Sequence, residues 1–276
     1  MALDPRAAIA RAHMPEGTEQ FLELRTLHSS HRRLAELLRP GMRVLDIGCG
    51  SGAITRGIAE AVGPDGAVLG IDPHAGLLAR AKAAAGDMPQ LDYRCTTIGD
   101  LGTQDRFDLV TASRVLQWLA DPDEALQDMV RATKVGGLVV VLDYDHTRIA
   151  WKPDVPADAH HFYDAFLRWR EEAGMDNRIA EHLPGMFAEA GLVDVEVSPQ
   201  PEVTHSADPD FAEAAALWEQ VVATRGHQLV GDGALSERTR AAAERAFAEW
   251  AAGPAPRRQA MHLVAVSGRR PPAPRT

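Results

Sequence analysis

Asp46, Gly48, Cys49 and Gly50 fall within Val44-Leu45-Asp46-Ile47-Gly48-Cys49-Gly50-Ser51-Gly52, a stretch whose residue types suit the capture of a small polar ligand. Val44, Leu45 and Ile47 read as a buried strand. The glycines that follow let the backbone turn tightly and approach a ligand with no Cβ in the way. Ile54, Ile58 and Ala61 recur at helical spacing, so a helix begins straight after the turn. Strand, glycine turn and helix N-terminus together present free N–H groups to a nucleotide-like ligand. Gly48, Gly50 and Ala53 also match the G-x-G-x-x-G/A spacing of dinucleotide-binding proteins, and Asp72 lies where it suits ribose hydroxyls in either case. Asp46 separates the two: its carboxylate tolerates an ammonium or sulfonium and repels a pyrophosphate.

Proton acceptors are available in His31, His146, His160, His161 and Tyr144, and spacing marks out none of them. His28 and His31 fall on or beside the apolar stripe of an N-terminal helix, where a packed histidine explains them as well as catalysis does. Asp143 and Asp145 form a carboxylate pair better explained by a solvated loop, and no metal site is expected. Cys49 and Cys95 read as reduced thiols.

Four stretches, Val44–Gly52, Gly70-Ile71-Asp72-Pro73, Phe107–Leu116 and Lys134–Leu142, resemble the ordered motifs of class I S-adenosylmethionine-dependent methyltransferases. The flavour is that of the small-molecule branch typified by ubiquinone and menaquinone biosynthesis methyltransferases. The resemblance spans residues 40 to 145 and implies S-adenosylmethionine as cofactor, with S-adenosylhomocysteine as product. It implies Asp72 for the ribose, and Gly48, Cys49 and Gly50 with nearby Asp46 for the methionyl end. Pro73 would wall the adenine, with Thr97 and Ile98 at its polar edge. The family's usual Asp after the third strand is replaced here by Thr97, which leaves Asp100 as an alternative. Ser113 should face the methionyl portion, with Gln117, Trp118 and Trp151 toward the acceptor. No Asn-Pro-Pro-Tyr-like motif is present; Ser113-Arg114-Val115-Leu116 occupies its place. The expected reaction is in-line methyl transfer to a small organic molecule. The alternatives are an NAD(P)-dependent oxidoreductase and a non-methylating S-adenosylmethionine-binding protein on the same fold.

These residues need a scaffold of alternating strands and helices: strands at 43–47, 67–72, 91–95, 107–112 and 138–142, with helices at 52–62, 75–85 and 122–133. Such alternation implies an α/β fold with helices on both faces of a parallel sheet. Strands at 192–198 and 261–267 complete the seven-stranded, mostly parallel Rossmann-like sheet that the resemblance implies. Residues 1–276 read as one domain, with a core of about 40–146, 187–200 and 259–268. Residues 1–17 read as a loose arm, 18–39 as an N-terminal helix, and 269–276 as a disordered tail. Insertions 147–186 and 201–258, with helices near 158–173, 209–224 and 236–252, should form a helical cap. The 29 basic and 39 acidic residues give a net charge of −10, which disfavours nucleic acid. With no apolar run long enough for a signal or a membrane span, a cytoplasmic protein is expected, its oligomeric state left open.

Overall fold

The computed structural model describes residues 5–15, 22–23 and 25–272. Residues 18–21 and 24 of the expected N-terminal helix, and 273–276 of the expected tail, lie outside them.

The apolar runs become strands β1 (Arg43–Ile47), β2 (Ala67–Asp72), β3 (Leu91–Cys95), β4 (Phe107–Ser113) and β5 (Thr133–Lys152). They are followed by β6 (Val193–Pro199), β7 (Glu202–His205) and β8 (Arg258–Arg269). The sheet runs β3-β2-β1-β4-β5-β8-β6, and β7 pairs with β8 beside that path, so the sheet has eight strands rather than seven. The first five are parallel, whereas β8 runs antiparallel to β5, β6 and β7. Ile47 pairs with both Ile71 and Ala112, which brings the C-terminal ends of β1, β2 and β4 level. Strand order reverses at β1, so the loops after these strands part and leave a crevice, the place where open α/β sheets bind ligands.

Helices α2 (Leu27–Ser30), α3 (Arg32–Leu37) and α4 (Ala53–Val62) cover one face, burying Leu27, Leu34, Ile58 and Val62 against Val44, Val68 and Val140. Instead of one helix to Leu38, the described part is broken at His31. Thr26 and His31 each cap a new start, their side chains accepting from the N–H groups of Ser29 and Leu34. Helix α5 (Ala75–Ala85) and the short α6 (Ile98–Leu101) follow β2 and β3. Helix α7 (Pro122–Ala132) starts as its sequence indicates, with Asp121 accepting from the Glu124 N–H at 2.9 Å and Pro122 in the first turn.

Helices α8 (Ala157–Glu171), α10 (Phe211–Gly231) and α11 (Glu237–Ala252) build the cap around Phe162, Phe166, Trp169, Trp218, Phe247 and Trp250. The first insertion is less of a cap than expected: α9 (Ile179–Glu189) buries Ile179, Leu183 and Phe187 in the sheet core. The expected loose arm is also partly ordered. Its α1 (Pro5–Ala12) seats Ala8 against Ala173 and Met175. Arg269 ends β8 and the Arg270 N–H donates to the Gly137 carbonyl at 3.0 Å, so the start of the expected disordered tail belongs to the sheet. Among the described residues, no helix is long and apolar enough to cross a membrane.

Candidate active site

A cavity of about 990 Å³ opens at the crevice and runs under the cap. Its inner end is the turn after β1. Gly48 and Gly50 have φ of 63° and 54°, a region that glycine enters without steric cost, and a Cβ on Gly48 would lie 2.5 Å from Val115 Cγ2. Asp72, at the end of β2, is only 8% exposed. Its two oxygens accept from the Gly50 N–H at 3.0 Å and the His74 N–H at 2.8 Å, which fixes the carboxylate plane toward the cavity. Burial raises its pKa and those two bonds oppose the rise. Pro73, Thr97, Ile98 and Ser113 line the same cavity. Thr97 caps α6, accepting from the Asp100 N–H at 3.2 Å and donating to the Asp100 carboxylate at 2.7 Å. Asp100 therefore faces Thr97 and does not line the cavity.

Asp46 and Cys49 border an adjoining recess of about 60 Å³, together with Gly48, Gly50 and Ser113. Thr55 Oγ1 donates to Asp46 at 2.6 Å, yet complete burial pushes this carboxyl up to about 7. The Cys49 thiol is pushed up by burial and by the Asp46 and Asp72 carboxylates, which keeps it a neutral thiol.

Toward the cap, Gln117 and Trp118 line the cavity with Phe166, Trp218 and Met261. Trp118 lies between two cations, its ring centroid 3.9 Å from the Arg225 guanidinium and 4.4 Å from that of Arg170. Trp151 is not among the lining residues. It sits near the end of β5, in the aromatic core of the cap among Tyr163, Trp218 and Phe247, with its Nε1–H on Gln259 at 3.1 Å.

The expected proton acceptors separate by geometry. His31 does not reach the cavity; it caps α3, and burial with the Arg114 charge pushes it down to about 3. His146 lines the cavity as a neutral ring, kept so by burial and by Arg170. Its Nε2 donates to Gln117 Oε1 at 2.6 Å, while the Tyr163 hydroxyl, 3.4 Å from Nδ1, donates to the His146 carbonyl at 2.6 Å and leaves the Nδ1 lone pair without that proton. Tyr144 also lines the cavity, and its hydroxyl accepts from Arg114 at 2.9 Å and from Arg25 at 3.4 Å. His160 is half-buried and pairs with Asp154 at 2.7 Å, and neither it nor His161 lines the cavity. Asp143 is buried and accepts from the Gln117 and Tyr144 N–H groups, while Asp145 accepts from Thr147. They are backbone supports rather than a solvated pair.

Sequence reading missed Arg25, Arg114, Arg225, His13 and His74, all of which line the cavity. Arg114 follows Ser113 directly, but nothing in its neighbours marks its left-handed backbone (φ 62°) or its burial.

Residues 45–141 match a model of a methyltransferase domain. Ubiquinone biosynthesis O-methyltransferase of a Bradyrhizobium species is 41% identical over 103 residues, 37% of this chain, and the chain spans only 39% of that protein's length. Demethylmenaquinone methyltransferase of Bacillus mycoides is 30% identical over 176 residues, covering 59% of this chain and 74% of that protein. A Haemonchus contortus phosphoethanolamine N-methyltransferase, solved with S-adenosylhomocysteine, superposes with a TM-score of 0.56 at 18% identity over 94% of this chain and 54% of that one. With the motif residues gathered at one crevice and these relatives beside it, the chain belongs to the family of S-adenosylmethionine-dependent methyltransferases.

Proposed function

We propose that the protein transfers a methyl group from S-adenosylmethionine to a small organic acceptor lodged between the glycine turn and the cap. One observation carries this reading: Asp72, the Gly48–Gly50 turn and the Ser113 hydroxyl, buried with no partner among the described residues, converge on one crevice. That orphaned hydroxyl and the fixed carboxylate are the polar groups that the methionyl end and the ribose of the donor require. The bound donor supplies a methyl group on a sulfonium, electrophilic without help from a metal.

The chain's own residues then have four tasks. Asp72 binds the ribose diol with oxygen lone pairs that its two backbone bonds leave free. Asp46 takes the ammonium, becoming charged as it does so. Thr97 and Ile98 hold the adenine edge beside Pro73. Phe166, Trp218 and Met261 hold an apolar acceptor and keep water out. With burial and Arg170 holding His146 well below the usual imidazole range, so that it is a weak base, and the Tyr144 hydroxyl accepting from two guanidiniums, positioning rather than proton abstraction supplies most of the acceleration, and alignment alone offers effective molarities of about 10⁵–10⁸ M.

The aromatic walls suit a ring or chain of the quinone-precursor kind named for the relatives. We place the enzyme in the cytoplasm, working on a small molecule rather than on nucleic acid. Calorimetric titration with S-adenosylhomocysteine and with NAD⁺ tests the reading. Micromolar binding of the former alone is expected, and binding of NAD⁺ alone would overturn it.

A further inference from the structure

Arg114 is 6% exposed, and its guanidinium is incompletely satisfied. Nε donates to the Tyr144 hydroxyl at 2.9 Å, and Nη2 donates to the Ser30 carbonyl at 3.4 Å and pairs with Glu202. Nη1 is buried with no partner among the described residues. Buried cations without their full set of partners are costly, and where one lines a cavity a ligand atom can supply the missing acceptor. We infer that Arg114, assisted by Arg25 and Tyr144, is the anchor for a carboxylate on the acceptor, whose remainder is apolar. This rests on the methyltransferase reading and names the substrate class of that site.

Three further observations point the same way. First, charge: among the described residues the guanidiniums of Arg114 and Arg25, both donating to the Tyr144 hydroxyl, share one hydrogen-bonded carboxylate, that of Glu202. Second, direction: two partners of Arg114, Tyr144 on β5 and Glu202 on β7, lie on the far side of β4 from the glycine turn and Asp72, while Ser30 lies on α2 over the sheet face. Third, the rest of the wall: the carboxylates lining the cavity are Asp72, bonded to Gly50 and His74, and Asp121, which caps α7. Among the described residues a cationic acceptor would find no carboxylate in the cap half, whereas an anionic one finds a spare N–H donor beside two guanidiniums.

Arg114 and Arg25 also border the recess beside Asp46, so the competing occupant is the donor's own carboxylate. A matched series separates the two. The protein, saturated with S-adenosylhomocysteine, is titrated with 3-phenylpropanoate, 3-phenylpropanamide and 3-phenylpropylamine. The acid is expected to bind at least about tenfold more tightly than the other two, the ratio of one charge-assisted hydrogen bond. Arg114→Gln should abolish that preference while leaving S-adenosylhomocysteine affinity unchanged. Glu202→Gln, which removes the compensating charge, should tighten the acid, and a merely structural ion pair would instead make both variants bind it less well. Equal, reversed or absent binding across the series overturns the proposal, as does an Arg114→Gln variant that loses S-adenosylhomocysteine and the acid in proportion. Failure of the unmodified protein to bind S-adenosylhomocysteine would instead remove the methyltransferase reading itself.

Discussion

Asp46 and Asp72 are neighbouring buried carboxylates with different surroundings. Asp72 receives two backbone N–H bonds, which favour its charged form and hold it still. Replacing it with Ala is expected to weaken S-adenosylhomocysteine by at least about a hundredfold, the loss of two hydrogen bonds to a charged group; calorimetry with an unchanged Kd would exclude the ribose role. Asp46 receives one hydroxyl and retains its proton up to about pH 7. Because this folded value lies above the ordinary 3.8, its stabilising contribution is complete below about pH 4 and is lost as pH rises through about 7. Asp143, also raised to about 7 by burial, acts in the same direction. The melting temperature of the ligand-free protein should therefore fall across that window, less steeply in Asp46→Asn. An ammonium arriving beside Asp46 lowers its pKa, so ligand binding near pH 6.5 should release a proton, read as a dependence of the calorimetric enthalpy on buffer, and Asp46→Asn should abolish the release. Both carboxylates were legible because strand, glycine turn and strand end are local patterns. Arg114 and His31 were not, since what decides their roles is burial against residues distant in sequence.

Single elements were legible where their signals lie inside them. Asp121-Pro122 started α7 as written, and the apolar run Leu138–Leu142 formed the middle of β5. Elements held by remote partners were missed. Helix α1 is alanine-rich and its order depends on distant groups: Arg225 donates to the Arg11 carbonyl at 2.8 Å and to that of His13 at 3.4 Å, and Gln228 donates to His13 at 3.2 Å. The Arg11 guanidinium sits 5.0 Å from the Trp169 ring centroid. Because α1 and the residues after it line the cavity, Arg225 latches one wall of the site. Arg225→Met keeps much of the apolar stem over Trp118 but removes the donors. It should cost about 1–3 kcal/mol of stability. It should also speed hydrogen exchange at residues 8–14, and unchanged exchange there would show that the arm is held by other contacts.

For the whole molecule, helical periodicity told which face of each cap helix is buried but not against what. Trp169 and Trp218 both follow that rule, and Trp151 at the end of β5 packs among them, yet of the three only Trp218 lines the cavity, because the cap helices pack mainly on one another. Trp151→Ala should therefore destabilise the protein by about 3–5 kcal/mol, as loss of a buried aromatic does, and denaturant unfolding measures it; at temperatures where the variant stays folded, S-adenosylhomocysteine affinity should hold. The long strands β5 and β8 add a constraint of their own. Their pairing resumes beyond Asp145 with Ala150↔Ala260, Trp151↔Gln259 and Lys152↔Arg258, so one ribbon runs from the sheet into the cap. A cap joined to the sheet in this way resists hinge opening, and α1, seated on it through Ala8, Ala173 and Met175, is the wall we expect to yield when reactants and products pass. The catalytic cycle then acquires a clock, the time needed for a helix of eight residues to unseat and return. A covalent link between positions 8 and 173, formed after loading, is expected to allow a single turnover and prevent the second.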